Sequence, residues 1–348
     1  MAPTPLPTGD PLLRVDDLHV RFPTDLGEVK AADGLSFTIE PNEVLGIVGE
    51  SGSGKTVTAL SILRLLPPNA TVSGSVCFGG RDLLALRESD LRRVRGERIA
   101  LIFQDALAAL NPLHRVGDQI TEMIRVHHHE TSRREAKRRA VEILGLVGIS
   151  NPEARAKQFP HEFSGGMRQR AMIAMAIAND PDVLIADEPT TALDVTTQAQ
   201  VLEVLKDVRR RTGSALILIT HDFGVVAGVA DRVIVMYAGK IVESGTVDQV
   251  LREPAHPYTR GLLASMPRVD QDDRRLTRIA GQPPSLVNVP AGCAFHPRCP
   301  YAQLPRPCAT EVPKPIPAAD GGGGSGHWAA CHFTGRLVES AAPAESSQ

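Results

Sequence analysis

An α/β fold built on a parallel sheet is what the sequence predicts, and three observations carry it. Val44-Leu45-Gly46-Ile47-Val48 is a continuous apolar run, the pattern of a strand covered on both faces, and it leads straight into a glycine-rich segment at 49–56. Further runs of this kind lie at 99–103, 183–186, 215–219 and 233–236, with helical patterns between several of them. A mostly helical stretch, about 106–180, interrupts the alternation and reads as an inserted subdomain.

Taken in order, residues 1–10 are rich in Pro and Thr, lack the basic and apolar regions of a secretory signal, and are expected to be disordered. Residues 12–22 and 35–40 have strand-like patterns with polar breaks, and 75–78 is a short strand candidate between glycines. A helix is expected over 56–66, ended by Pro67-Pro68. Ser132 and Glu135 have capping-box spacing and open a helix whose basic residues, Arg133, Arg134, Lys137, Arg138 and Arg139, form a solvated face. Adjacent residues do not share a helix face, so His127-His128-His129 reads as a solvated helix end and not as a metal site. Cys77, alone in a strand-like segment, reads as core. Composition shifts after Gly245: Pro is frequent and long periodic segments stop, so 246–335 is expected to be a small loop-rich domain. Within it 321–326 is a glycine-rich flexible stretch, and 336–348 is expected to be a disordered tail.

The 348 residues, 42% of them hydrophobic, suffice for a sizeable core in one large or two modest domains. A formal net charge of -2 gives no global field toward nucleic acid. No run of 18 or more apolar residues exists to span a membrane. A cytosolic chain keeps its thiols reduced, so the five cysteines argue against a disulfide frame.

The segment Gly49, Glu50, Ser51, Gly52, Ser53, Gly54, Lys55, Thr56 fits G-x-x-x-x-G-K-[ST] in the required strand–loop–helix setting. Glycines let backbone N–H groups converge on phosphates, and the following helix adds its positive dipole end. Lys55 brings an ammonium to the β- and γ-phosphates, and the Thr56 hydroxyl suits Mg²⁺. The run Val183-Leu184-Ile185-Ala186 ends in Asp187-Glu188, which delivers two carboxylates to the C-terminal edge of the sheet. Asp187 suits the Mg²⁺ shell, and Glu188 is placed to polarise an attacking water.

With Phe163-Ser164-Gly165-Gly166-Met167-Arg168-Gln169-Arg170, this constellation resembles the ATP-binding-cassette (ABC) ATPases over roughly 12–245. The resemblance implies an ABC-type P-loop NTPase fold: a RecA-like core, an antiparallel β subdomain over the first part of 11–245, and the inserted helical subdomain at about 106–180. It implies that the nucleotide site runs from Gly49 to Val57, with Phe22 stacking on adenine. Gln104 matches the Q-loop glutamine that touches Mg²⁺ and the lytic water, and His221 matches the switch histidine on the γ-phosphate. Ser164, Gly165, Gly166 and Met167 match the signature that presses on the partner subunit's ATP, and Asp194 of Ala192-Leu193-Asp194 matches the D-loop. Such a chain completes its ATP sites only in a head-to-tail pair.

Ile102-Phe103-Gln104-Asp105 leading to Leu110-Asn111-Pro112, the segment 190–196, His256-Pro257-Tyr258-Thr259-Arg260 and the tail 292–300 are similar to the ATP-binding subunits of oligopeptide and dipeptide importers. Met167 replaces the generic signature glutamine, as that branch commonly has it, and Ala106 stands where Pro is usual. The branch implies a second, related ATPase subunit, two permeases engaged through 104–117, an extracytoplasmic peptide-binding protein, no nucleic acid, and a peripheral place on the cytoplasmic face of the membrane. Related importers carry nickel, glutathione or sugars, and a non-transport ABC ATPase is the rival class; one cassette, no heptad arm and no net positive charge argue against the latter.

Cys293, Cys299, Cys308 and Cys331 are spaced C-x5-C-x8-C-x22-C. Thiolates suit an Fe–S cluster or Zn²⁺, but the close C-x2-C pairs usual for structural zinc are absent. The peptide-importer resemblance favours a 4Fe–4S cluster on these four, with Zn²⁺ and unligated thiols as the alternatives. A loop-rich tail gains folding free energy from such a staple.

Overall fold

The computed structural model describes residues 10–191, 193–266, 279–318 and 326–334. The expected N-terminal and C-terminal disordered segments, most of the glycine stretch 321–326 and Ala192 of the D-loop lie outside the described residues.

Two sheets form the body. The first is antiparallel, in the order β2 (Gly27–Ile39), β1 (Leu13–Thr24), β4 (Thr71–Phe78), β5 (Arg81–Asp82). Its strands are longer than the sequence patterns indicated, because polar outward positions alternate with buried ones. In β1 the buried apolar residues change parity, from Leu13 and Val15 to Leu18 and Val20. A bulge between Val15 and Leu18 absorbs the extra residue and keeps all four on one face, with Asp17 at a left-handed φ of 47°. Cys77 in β4 departs from the expected core position. Val76 and Phe78 are buried, but Cys77 is half-buried with its Sγ 3.3 Å from Ser75 Oγ.

The second sheet has the order β11-β12-β10-β9-β3-β8-β7-β6. Its centre is parallel: β3 (Val44–Val48), β6 (Ile99–Ile102), β7 (Val183–Asp187), β8 (Ala215–Thr220) and β9 (Arg232–Tyr237). Every residue of β3, β7 and β8 is buried, as their unbroken apolar runs demand. The antiparallel strand β10 (Lys240–Thr246) extends the edge, and β11 (Ile316–Pro317) and β12 (Trp328–Ala329) continue it from the tail.

One apolar cluster fills the space between the two sheets, around Leu18, Ile39, Ile47, Ile62 and Ile217. A second unites the other side of the parallel sheet with the inserted helices, including Val116–His127, Arg133–Leu146 and Gly165–Ala176. Ser132 Oγ accepts the Glu135 N–H at 3.2 Å, so the expected cap opens the second of these helices. His127 is not solvated as expected: its side chain is 9% exposed, with Nδ1 3.7 Å from Glu97. The helix after the glycine-rich loop is shorter than expected, Lys55–Ile62, because Arg64 takes a left-handed φ of 51° before the prolines are reached.

A third cluster joins the tail to β9. Tyr258 and Phe295 pack against Tyr237 with ring centroids 4.6 and 5.2 Å away. The region after Gly245 is less irregular at its start than composition suggested, with helices Val247–Arg252 and Pro257–Ala264. Thr246 and Gln249 make a reciprocal capping box, and His256 caps a helix that begins with Pro257.

Candidate active site

Four parallel strands end along one edge of the sheet, and each delivers a predicted functional group there. β3 runs into the phosphate loop, β6 into Gln104, β7 into Asp187 and Glu188, and β8 into His221. This is the edge where open α/β sheets bind ligands.

The loop is held by backbone contacts that admit no side chain at two glycines. A Cβ on Gly49 would collide with the Met236 carbonyl, and one on Gly54 with the Ala31 carbonyl, while Gly54 also has φ 103°. Lys55 Nζ donates to the carbonyls of Gly49 at 2.7 Å and Glu50 at 3.0 Å, curling the loop around the ammonium. Burial lowers the Lys55 pKa, against the upward pull of Glu188, Asp187 and Glu50. Ser53 Oγ is buried and has no hydrogen-bond partner, as suits a donor inside a phosphate cradle. Ser51 and Gly52 are exposed at the crest, and Val57 packs its half-buried side chain against the core.

Thr56 Oγ1 donates to Asp187 Oδ1 at 3.1 Å, so the hydroxyl and carboxylate predicted for Mg²⁺ meet. Burial raises the Asp187 pKa, and the Thr56 hydrogen bond opposes it. Glu188, one residue on, is the convergence point. Its Oε2 accepts from Gln104 Nε2 at 3.2 Å and from Thr191 Oγ1 at 2.7 Å, and lies 3.6 Å from His221 Nδ1. Its backbone has φ 45°, a strained conformation for a residue other than glycine. Thr191 was not foreseen as a site residue; its only signal was a hydroxyl three positions after the glutamate.

The signature residues stand elsewhere. Ser164 caps the helix Gly165–Ala176, its Oγ accepting from the Met167 N–H at 3.3 Å. Ser164, Gly165, Gly166 and Met167 line a concavity with Leu193, Asp194 and Thr197, and none of Lys55, Thr56, Asp187 or Glu188 lines it. Asp194 caps the helix Val195–Thr212 and accepts from both the N–H and the hydroxyl of Thr197, which holds its carboxyl below the usual range. The residues expected to hold phosphate and Mg²⁺ and those expected to form the signature thus stand apart in one chain.

The ABC transporter family profile matches residues 32–191, and that of the oligopeptide/dipeptide transporter C-terminal region matches 242–305. The chain is 55% identical over 294 residues to the oligopeptide transport ATP-binding protein OppD of Bacillus subtilis, covering 84% of this chain and 82% of that one. The chain belongs to the ABC transporter ATPases. Within them it stands with the oligopeptide/dipeptide branch: it is also 52% identical to the dipeptide transport ATP-binding protein DppD of Bacillus subtilis, covering 83% of this chain and 87% of the relative. Among solved structures, the dimeric ATP-binding cassette MJ0796 in a post-hydrolysis state bound to ADP and Pi superposes with a TM-score of 0.61 at 26% identity, covering 68% of this chain and 98% of that one.

Phe22, expected against adenine, lies in β1 opposite Val29 and is half-buried against the core between the sheets. Cys293, Cys299, Cys308 and Cys331, all free thiols, line one cavity with His256, Phe295 and Phe333. Among the described residues, no group of three or more His, Cys, Asp or Glu side chains could hold a metal ion, so the metal-binding character expected of this tail is not borne by the structure. No described helix is long and apolar enough to cross a membrane.

Proposed function

We propose that this ABC ATPase powers the import of di- and oligopeptides, as one of two related ATPase subunits docked on the cytoplasmic face of two permeases fed by an extracytoplasmic peptide-binding protein. The peptide reading is supported by the likeness to OppD and DppD, and the pairing of ATPase subunits by the separation of the two half-sites. The loop, Asp187 and Glu188 form one group, while Ser164 and Gly166 line another concavity. Two chains arranged head to tail would bring each signature against the other's nucleotide.

Within one half-site the roles follow from the contacts. Loop N–H groups and Lys55 hold the phosphates. The oxygens of Thr56 and Asp187, 3.1 Å apart, are the hard donors Mg²⁺ prefers, and the ion would neutralise charge on the phosphate oxygens. Glu188 orients and polarises the lytic water, with Gln104 and Thr191 fixing its carboxylate and His221 beside it. Phe22 and Val57 complete the nucleotide-binding set.

The tail is read as a 4Fe–4S site on Cys293, Cys299, Cys308 and Cys331. What supports the reading is that the four thiols line one cavity, with backbone N–H groups of Phe295, Tyr301 and Phe333 bonded to the first, second and fourth. As free thiols Cys293 and Cys299 are pushed by burial up to about 11 and about 12, which keeps them protonated unless a cation is bound. Anaerobically purified protein is expected to be brown, with about four iron and four sulfide per chain; colourless protein with one zinc would overturn this.

Transport is tested with the assembled importer in membrane vesicles. ATP-dependent uptake of a labelled oligopeptide is expected, with loss on Glu188→Gln. A chain that co-purifies with ribosomes or DNA and never with permeases refutes the reading.

A further inference from the structure

Glu50, the second residue of the phosphate loop, points its carboxylate away from Lys55 and into the C-terminal tail. There it meets Arg298, 248 positions downstream and 5% exposed. Nη1 donates to Oε2 at 2.7 Å and Nη2 to Oε1 at 3.0 Å, a bidentate fork. Arg298 is itself fixed: its Nε donates to the Ala280 carbonyl at 3.0 Å, its Nη1 lies 3.4 Å from the Tyr237 hydroxyl, and its guanidinium stands over the Tyr237 and Phe295 rings. The Glu50 backbone is gripped as well, its N–H donating to Tyr258 Oη at 2.8 Å. The Glu50 carbonyl in turn accepts from Lys55 Nζ and from the Ser53 N–H.

We propose that Arg298 is a positioning residue of the ATP site, clamping the phosphate loop in its binding shape through Glu50 and cancelling the one negative side chain that the loop carries. Two physical effects support it. A loop already held in the bound shape loses less freedom when ATP binds. A carboxylate in the loop repels a triphosphate unless a cation is paired with it, and a fork in a largely buried site does so with little screening. Arg298 bonds Glu50, Tyr237 and the Ala280 carbonyl and acts on the loop through Glu50, so its effect is expected on affinity and not on the chemical step. The clamp lies one residue before Cys299, so whatever fastens the cysteine tail also fastens the loop. The proposal rests on residues 49–56 being the ATP loop, and the test separates the two ideas.

The test uses the full-length chain and a fluorescent ATP analogue. Wild-type protein that fails to bind it overturns the loop assignment itself. If wild type binds, Arg298→Ala is expected to raise Kd on the order of tenfold. In the assembled importer, KM for ATP should rise in parallel while kcat stays near wild type. Glu50→Gln placed in the Arg298→Ala chain is expected to recover part of the lost affinity, because the unpaired charge is gone. Arg298→Lys, which keeps the charge and loses the fork, should fall between. Wild-type affinity in Arg298→Ala overturns the proposal. So does a loss that Glu50→Gln leaves untouched and that follows the melting temperature, since that pattern belongs to a merely structural arginine.

Discussion

Glu188 Oε2 accepts a hydrogen bond from Gln104 Nε2 at 3.2 Å, which ties the end of β7 to the loop after β6. The same oxygen accepts from Thr191 at 2.7 Å. A carboxylate with two donors on one oxygen keeps its other oxygen for water. Glu188→Gln removes the proposed base but keeps the shape, so ATP binding is expected to persist while turnover falls ~10²–10⁴-fold. Single-turnover hydrolysis in the assembled complex checks this, and wild-type rates would remove Glu188 from its role.

Asp187 and Thr56 share one short contact, and the Mg²⁺ assignment stands on it. Asp187→Asn keeps the hydrogen-bond geometry but discards the charge. The Mg²⁺ concentration needed for half-maximal ATPase activity is expected to rise about tenfold or more, since a contact involving a full charge is worth about 1.5–3 kcal/mol. A Mg²⁺ titration that matches wild type would place the ion elsewhere.

The glycines of the two half-sites fail in different ways. In the loop, Gly54 has φ 103° and a Cβ there would stand 2.1 Å from the Ala31 carbonyl oxygen, so Gly54→Ala is expected to abolish nucleotide binding. In the signature, a Cβ on Gly166 would stand 2.6 Å from Thr197 Cγ2, and Thr197 is the residue bonded to Asp194. Gly166→Ala is therefore expected to leave binding to the isolated chain intact and to reduce hydrolysis by the pair ~10-fold or more. Equilibrium binding beside steady-state ATPase measurements separates the two; parallel losses of binding in both variants contradict the division into half-sites.

Local physics explains what the sequence disclosed. The apolar runs of β3, β7 and β8 required burial on both faces, and the segments that follow them emerge at one sheet edge, so the placing of Lys55, Asp187, Glu188 and His221 there was legible in the sequence. Ser132 and Glu135 announced their helix by a three-residue spacing. The tail was opaque because its order comes from distant contacts. Arg298 finds Glu50 across 248 positions, and β12 pairs with β10 through only two residues, Trp328 and Ala329. Neither leaves a periodicity. His127 misled for a related reason: its Glu97 partner lies outside its helix.

Glu243 is fully buried in β10 and is the point where the tail is stapled. Its Oε1 accepts from the Ala255 N–H at 2.7 Å and lies 2.9 Å from His327 Nε2, while Oε2 accepts from the His256 N–H at 2.9 Å. Glu243→Ala leaves two buried backbone donors and His327 without their acceptor, and is expected to destabilise the tail by about 3–5 kcal/mol. Acid should loosen the same region. Burial pushes the His256 pKa down to about 4, whereas a free histidine titrates at 6.5. The folded state therefore holds His256 neutral, and its stability is whole above pH 6.5 and declines as pH falls toward 4, by roughly 2–3 kcal/mol. Trp328, the single tryptophan, lies in β12 directly after His327, so its fluorescence reports docking of this segment. The expected result is an undocking midpoint in urea that moves lower between pH 6.5 and 4, and that is already low at neutral pH in Glu243→Ala. In His256→Gln, which has no imidazole to protonate, the pH dependence over that window should shrink. A midpoint that is flat with pH in the wild type would mean that His256 does not limit the tail's attachment.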